Sequence, residues 1–233
     1  MLAEQLTGQT RSHLSEIENN ILIHSDAVSD FHGLQQAAKT AGFNLQIASG
    51  FRSFERQLSI WNNKYKGERP VLDKNEQPLD LLKLSELEKL LAILHWSALP
   101  GTSRHHWGSD FDIFDPNLLP DKQSLQLTVA EYCHGGYFQE LTDWLSENMA
   151  LFGFYRPYQS FLGGVAVEPW HISYYPIADK ALKQLQLNLI HDLIIKKNIL
   201  GKSLICQQLP MIYKQFICNI NQQNMGSNNV RKT

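Results

Sequence analysis

The sequence predicts an α+β fold. Three observations carry this: several stretches with helical spacing of apolar residues, a few short strand-like stretches among them, and no regular strand–helix–strand alternation. Residues 26–41 read as a helix, because Val28, Phe31, Leu34 and Ala38 recur at helical spacing and Gly42 follows as a stop. Residues 43–48 alternate like a strand. A second helix over 53–65 presents Phe54, Leu58 and Trp61 on one side, and a charged, Pro-containing loop over 67–82 follows it. Residues 86–97 form a third helix. Ser85 is its N-cap, and Glu88 three positions on completes a capping box ahead of Leu87, Leu90, Leu91 and Leu94.

Pro100-Gly101 ends that region, and a short strand is expected near 110–114. A helix over about 136–151 ends at Gly153, and residues 169–174 read as another strand. From Ile177 the pattern is helical to about Ile199, and Gly201 breaks it. A last helix is expected from near Leu209 to Ile220, with Pro210 in its first turn, where proline is tolerated. The ends differ from the middle: residues 1–12 are polar and expected to be loosely held, and residues 221–233 are expected to be disordered.

Composition narrows the classes. Of 233 residues, 43% are hydrophobic and 19% charged, which suits a globular chain with a sizeable core. The net charge is −2 and no long basic cluster occurs, so neither nucleic acid nor an anionic membrane surface is an expected partner. Cys133, Cys206 and Cys218 are too few and too widely spaced for a disulfide framework or a thiolate zinc knuckle. The apolar run at 185–200 is interrupted by Gln186, Asn188, His191, Asp192, Lys196 and Lys197, so no membrane insertion is expected. The first residues lack a basic region followed by an apolar stretch. A cytoplasmic location is therefore expected, with the periplasm as the alternative if the true start lies elsewhere or export is unusual.

Three segments carry chemistry: Ser49-Gly50-Phe51-Arg52-Ser53-Phe54-Glu55, Ser103-Arg104-His105-His106-Trp107-Gly108-Ser109-Asp110-Phe111-Asp112, and Glu168-Pro169-Trp170-His171. A hydrolytic zinc site commonly takes three nitrogen or oxygen ligands and leaves one position open. The second segment offers a histidine and a carboxylate. The third offers another histidine with a carboxylate three residues before it, free to serve as general base. In a strand over 110–114, Asp110, Asp112 and Phe114 share one face while Phe111 and Ile113 point to the core. In 169–174, His171 and Ser173 lie opposite Trp170 and Ile172. Glu168 lies just before that strand, so alternation does not fix its direction.

These segments resemble the zinc D-alanyl-D-alanine carboxypeptidase family of the vancomycin-resistance type, which shares its metal-site fold with the D-Ala-D-Ala dipeptidases and the hedgehog domain. Ser103, His105 and Asp112 match a Ser-x-His pattern with Asp seven residues after the His, and Glu168 and His171 match Glu-x-x-His. Ser49 to Ser53 match a Ser-Gly-Tyr-Arg-Ser element, with Phe51 in place of Tyr. The resemblance covers roughly residues 40–175 and implies a small antiparallel sheet flanked by helices and holding one zinc. It implies His105, Asp112 and His171 as metal ligands, Glu168 as base, and Arg52 as the group that steadies the substrate and its developing oxyanion. Ser103 is implied as a substrate contact, and Gln57, on the helix over 53–65, is a further candidate for one.

Asp110 departs from the family, which has a small apolar residue there, and suits an acceptor for a ligand histidine. His106, His134, Trp107 and Trp170 read as loop or packing residues. The domain division expected is a peptidase domain over 1–176, a helical extension packed on it over 177–220, and the tail. The implied activity is removal of a terminal D-amino acid from a peptidoglycan stem peptide or muropeptide. LD-carboxypeptidase or endopeptidase action and a non-catalytic zinc module are the alternatives.

Overall fold

The computed structural model describes residues 1–223. In order, the chain forms α1 (Ala3–Leu6), β1 (Leu14–Ile17), β2 (Ile21–His24), α2 (Val28–Thr40), β3 (Gln46–Ser49), α3 (Phe54–Lys66) and α4 (Glu86–Trp96). It continues through β4 (Asp110–Phe114), α5 (Val129–Tyr132), α6 (Gln139–Asn148), β5 (Phe154–Tyr155), β6 (His171–Tyr174), α7 (Tyr175–Gln184), α8 (Leu187–Lys196) and α9 (Lys202–Ile212). The fold is α+β, as expected. No helix among the described residues is long and apolar enough to cross a membrane.

The sheet that matters has the strand order β3-β4-β6-β5, with every neighbour antiparallel. Alternation gives it two unlike faces. Ile47, Phe111, Ile113 and Ile172 pack against Phe31, Leu34 and Ala38 of α2 and Leu141 and Leu145 of α6. The other face carries Asp110, Asp112, His171 and Ser173, all buried. Between Ile47 and Ser49 a bulge shifts the register, so that Ser49 comes to stand opposite Asp112. The extra residue bends β3 into the turn that carries Arg52. A Cβ on Gly50 would lie 2.7 Å from the Leu22 carbonyl oxygen, so that turn needs glycine to pass β2.

The helices are closed by local chemistry. The Ser53 hydroxyl accepts from the Arg56 amide at 3.2 Å, and Gly67 ends α3 in the left-handed conformation. Ser85 and Glu88 form the expected capping box on α4. The C-terminal helices are packed on the rest of the chain. Ile190 and Ile194 of α8 and Ile205 and Leu209 of α9 share one buried cluster with Phe54, Trp61, Leu90, Leu94 and Trp107.

Four local expectations are corrected. Residues 1–12 are docked: Leu6 is buried, its carbonyl accepts from the Trp107 indole at 3.1 Å, and the Gly8 carbonyl accepts from the Phe54 amide at 2.8 Å. The helical run from Ile177 is two helices, because Leu185 turns inward and is wholly buried between them. Pro210 lies inside α9, which begins at the Gly201 cap rather than near Leu209, and a π-helical turn follows at Tyr213–Ile217. Of the tail expected to be disordered, residues 224–233 lie outside the described residues, while the Asn221 amide donates to the Pro157 carbonyl at 2.9 Å.

Two predictions follow from this packing. Ile194→Ala should lower unfolding stability by about 2–5 kcal/mol, as for any fully buried large-to-small change. An extension folding apart from the rest would instead give two separate urea transitions. The second concerns His13, which burial and the neighbouring His24 hold down to about 4. Between that value and the ordinary 6.5, the unfolded chain binds more protons than the folded one, so stability falls as pH drops through this window. From pH 7 to 4.5 the wild type should lose roughly 1–2 kcal/mol more than His13→Gln in urea titrations.

Candidate metal centre and active site

The register of β4 and β6 sets Asp112 directly opposite His171 and Asp110 opposite Ser173. Facing side chains in such a pair are close neighbours on one face. His105 arrives from a 3₁₀ turn, Arg104–Trp107, whose exit at Gly108 is left-handed. A Cβ on Gly108 would lie 2.8 Å from the His24 amide nitrogen, so this turn also needs glycine. The turn is tied to the Arg52 loop by the Arg52 amide donating to the His105 carbonyl at 3.1 Å.

One ligand atom from each of His105, Asp112 and His171 falls within 4.8 Å of the others, and all three residues are buried. His105 Nε2 lies 3.5 Å from Asp112 Oδ2, and His171 Nδ1 lies 3.3 Å from Asp112 Oδ1. The outward-facing nitrogens are spoken for. His105 Nδ1 donates to the Gly50 carbonyl at 2.9 Å, and His171 Nε2 donates to Asp110 Oδ1 at 3.0 Å. Each imidazole thus turns its other nitrogen inward, the one through which a metal would be held.

Asp110 is held by more than His171. Arg104 Nε donates to its Oδ1 and the Ser109 hydroxyl to its Oδ2, both at 2.7 Å. Arg104 also donates to the Ser173 hydroxyl at 2.7 Å and to the Tyr155 hydroxyl at 3.0 Å, and its guanidinium stacks on Trp107. Burial alone would raise the Asp110 carboxyl, but Arg104 and His171 outweigh it and hold it well below the usual range. Burial likewise opposes ionisation of Asp112, and His105 and His171 overcome it. At His171 burial works against the charged form, yet Asp110, Asp112 and Glu168 together raise it well above the ordinary value. A divalent cation at Nδ1 would take the place of that proton. Two imidazoles and a carboxylate, braced from behind, suit Zn²⁺.

Glu168 is brought over the cluster by a turn in which the His171 amide donates to the Glu168 carbonyl at 3.1 Å. Its Oε2 lies 3.3 Å from His171 Nδ1. Arg52 donates to Gln57 Oε1 at 3.0 Å and to the Ser49 hydroxyl at 3.4 Å, and stands 3.9 Å from Asp112 Oδ2. Glu168, Arg52 and Ser103 join the three clustered residues in lining a cavity of about 300 Å³. Gln57, expected as a substrate contact, is paired with Arg52. It is wholly buried, its amide nitrogen donates to the Ala98 carbonyl at 2.7 Å, and its oxygen serves Arg52. It positions the arginine.

Three residues escaped the sequence reading. Lys64 lines the cavity two helical turns beyond Gln57 on α3, and its ammonium donates to the Ser97 hydroxyl at 2.7 Å. Burial and Arg69 push Lys64 down to about 8, against the pull of Glu168. Its spacing from Gln57 and Trp61 was the available signal. Tyr158 lies edge-on to His171 at 5.1 Å from an irregular loop and carried no signal. Arg104 sits inside the motif and carried none beyond its charge. His106, read as a packing residue, accepts from the Gly101 amide through Nε2 at 3.1 Å and donates from Nδ1 to the Arg52 carbonyl at 2.6 Å. Burial keeps it neutral, down to about 3. Trp170 packs with Tyr132 and Phe138 and also lines the cavity. His134 is a loop residue in left-handed conformation.

A buried two-histidine, one-carboxylate cluster with a second carboxylate and an arginine beside it is the arrangement of a metallopeptidase. The chain belongs to the VanY D-alanyl-D-alanine carboxypeptidase family, whose profile matches residues 20–177. It is 30% identical over 177 residues to a D-alanyl-D-alanine carboxypeptidase of Enterococcus faecalis, covering 72% of this chain and 54% of that one. An uncharacterized protein of Haemophilus influenzae is 43% identical over 121 residues, 51% of this chain and 92% of its own length. The solved structure of VanYB in complex with D-Alanine-D-Alanine superposes with a TM-score of 0.51 at 27% identity, over 79% of this chain and 89% of that one.

Asp110→Asn should leave Arg104 as a buried cation short of its anion. The expected cost is about 3–5 kcal/mol in urea unfolding. A loss under 1 kcal/mol would mean that the Arg104–Asp110 contact is not a structural ion pair.

Proposed function

We propose that the chain is a zinc carboxypeptidase that removes a terminal D-alanine from peptidoglycan stem peptides or their precursors. The observation that carries this reading is the inward-facing donor set of His105, Asp112 and His171 sharing one cavity with Glu168 and Arg52. Membership of the VanY family supports the substrate class.

His105 Nε2, a carboxylate oxygen of Asp112 and His171 Nδ1 would hold one zinc. When bound, the ion supplies Lewis acidity to the scissile carbonyl and to the attacking water. Glu168 removes a proton from that water as its oxygen attacks the carbonyl carbon. Negative charge then builds on the carbonyl oxygen, and Arg52, held in place by Gln57 and Ser49, stabilises it. As the C–N bond breaks, Glu168 returns the proton to the leaving amine, which departs as free D-alanine. Ser103 contributes a hydroxyl to the cavity wall, available to the substrate's terminal carboxylate. Asp110 and the Gly50 carbonyl fix the rings of His171 and His105 so that neither must reorient during the reaction.

The test is mass spectrometry of a stem pentapeptide ending in D-Ala-D-Ala, incubated with zinc-loaded protein, chelated protein and zinc-loaded Glu168→Gln. One alanine should be lost only with the zinc-loaded wild type, and Glu168→Gln should be slower by about 10²–10⁴-fold with its zinc content unchanged. Equal turnover by the variant would remove Glu168 from the mechanism. Cleavage of a tetrapeptide instead of the pentapeptide would redirect the reading to LD-carboxypeptidase action.

A further inference from the structure

A second concavity shares Arg52 with the cavity of the metal cluster. It is a groove of about 640 Å³, larger than the cavity itself, running between β2, the Ser49–Ser53 turn and α3. Arg11, Arg56 and Arg69 line it together with Arg52. Among the described residues, no carboxylate lines the groove, and Arg11, Arg56 and Arg69 enter no salt bridge. This is unusual in a chain whose net charge is −2, where anions for pairing outnumber cations. The four arginines thus lie along one groove with no anion among them. Arg69 is also near enough to Lys64, inside the cavity, to disfavour its charged form.

Resting on the carboxypeptidase reading, we infer that this groove binds the carboxylate-bearing part of an acidic peptide substrate upstream of its scissile bond. The groove and the cavity share Arg52 in their linings, so the groove borders the place where a chain would be cleaved. Its volume admits more than one residue. Guanidinium groups hold carboxylates through paired N–H donors, and three unpaired ones leave no internal anion to displace. Arg11, Arg56 and Arg69 are all exposed, so they cost the fold nothing in desolvation and are free to meet a ligand. Exposed charges of this kind act chiefly on encounter and on salt dependence, which makes the groove a selector for anionic peptides.

The test compares a pentapeptide ending in D-Ala-D-Ala that carries two free carboxylates upstream with the same peptide amidated at both. Wild-type zinc-loaded protein should prefer the acidic peptide by about tenfold in kcat/KM at low ionic strength, and about 0.5 M salt should erase most of the preference. In the triple variant Arg11→Gln, Arg56→Gln, Arg69→Gln the ratio of the two peptides should fall to near one. A wild-type ratio near one, or a ratio that survives the triple substitution, overturns the inference. The same ratio is read as Kd by fluorescence anisotropy on chelated protein, which does not depend on turnover. Absence of cleavage with an arginine-dependent Kd ratio would sink the carboxypeptidase reading and leave the groove standing.

Discussion

The antiparallel register between β4 and β6 is the constraint on which the rest of this structure depends. Because Asp112 faces His171 and Asp110 faces Ser173, one ladder delivers two clustered donors and both polar groups behind them. A shift of a single residue would turn Phe111 and Ile172 toward the cavity and the carboxylates into the apolar core. The register is held from the other side by Phe111, Ile113 and Ile172, which are wholly buried against α2 and α6. Hydrophobic burial on one face thus fixes chemistry on the other. His105 and Arg52 need no strand position of their own, since the backbone links between their two loops carry them to the ladder.

A polar sheet face buried to this degree must be internally neutralised. Arg104 does this for Asp110, while its remaining donors reach Tyr155 and Ser173. Such a pair is weak evidence for stability, since desolvating both charges offsets most of their attraction. Its consequence is orientation. With Asp110 held at both oxygens, the His171 ring has one hydrogen-bonded position, and its inward nitrogen is determined. Gln57 does the same for Arg52, and His106 fixes the backbone on either side of it. The cluster is pre-ordered by the groups hydrogen-bonded to its members.

Much of this was legible in the sequence. The spacing of Phe111 and Ile113 against Asp110 and Asp112 gave the faces of β4, and Ser85 with Glu88 gave the start of α4. What was not legible has physical causes. The hairpin of β1 and β2 turns through Asn19 and Asn20, both with positive φ, a conformation asparagine tolerates, but the flanking strands are four residues long and only partly apolar. The docking of residues 1–12 uses long-range contacts with no local period, among them burial of Leu6 in the core, the indole bond to its carbonyl and Gly8 beside Phe54. Glu168 could not be aimed by strand alternation, because it is placed by a turn that precedes the strand. Gln57 was recognised as a site candidate but its bond to Arg52 was not, since spacing alone does not say which side chains meet.

The helices after residue 177 bear on how the site is read. The VanY match ends there, yet Phe216 and Ile217, in the π-helical turn after α9, line the same cavity as Glu168 and His171. They stand with Leu94, Trp96 and Val165, so the apolar wall is assembled from α4, the loop before Glu168 and the C-terminal helices. The polar half of the cavity comes from the residues that define the family, and part of its apolar half from outside them. The polar and apolar walls are thereby drawn in part from different stretches of chain. The shared core explains why they can be: α8 and α9 pack on Phe54 and Trp61 of α3, the helix that begins at the Arg52 turn, so the wall and the arginine are fixed to one rigid body. A change of residue at Phe216 alters what the cavity admits without touching a ligand of the cluster, whereas a cavity-forming change at Ile194 loosens the support of wall and arginine together.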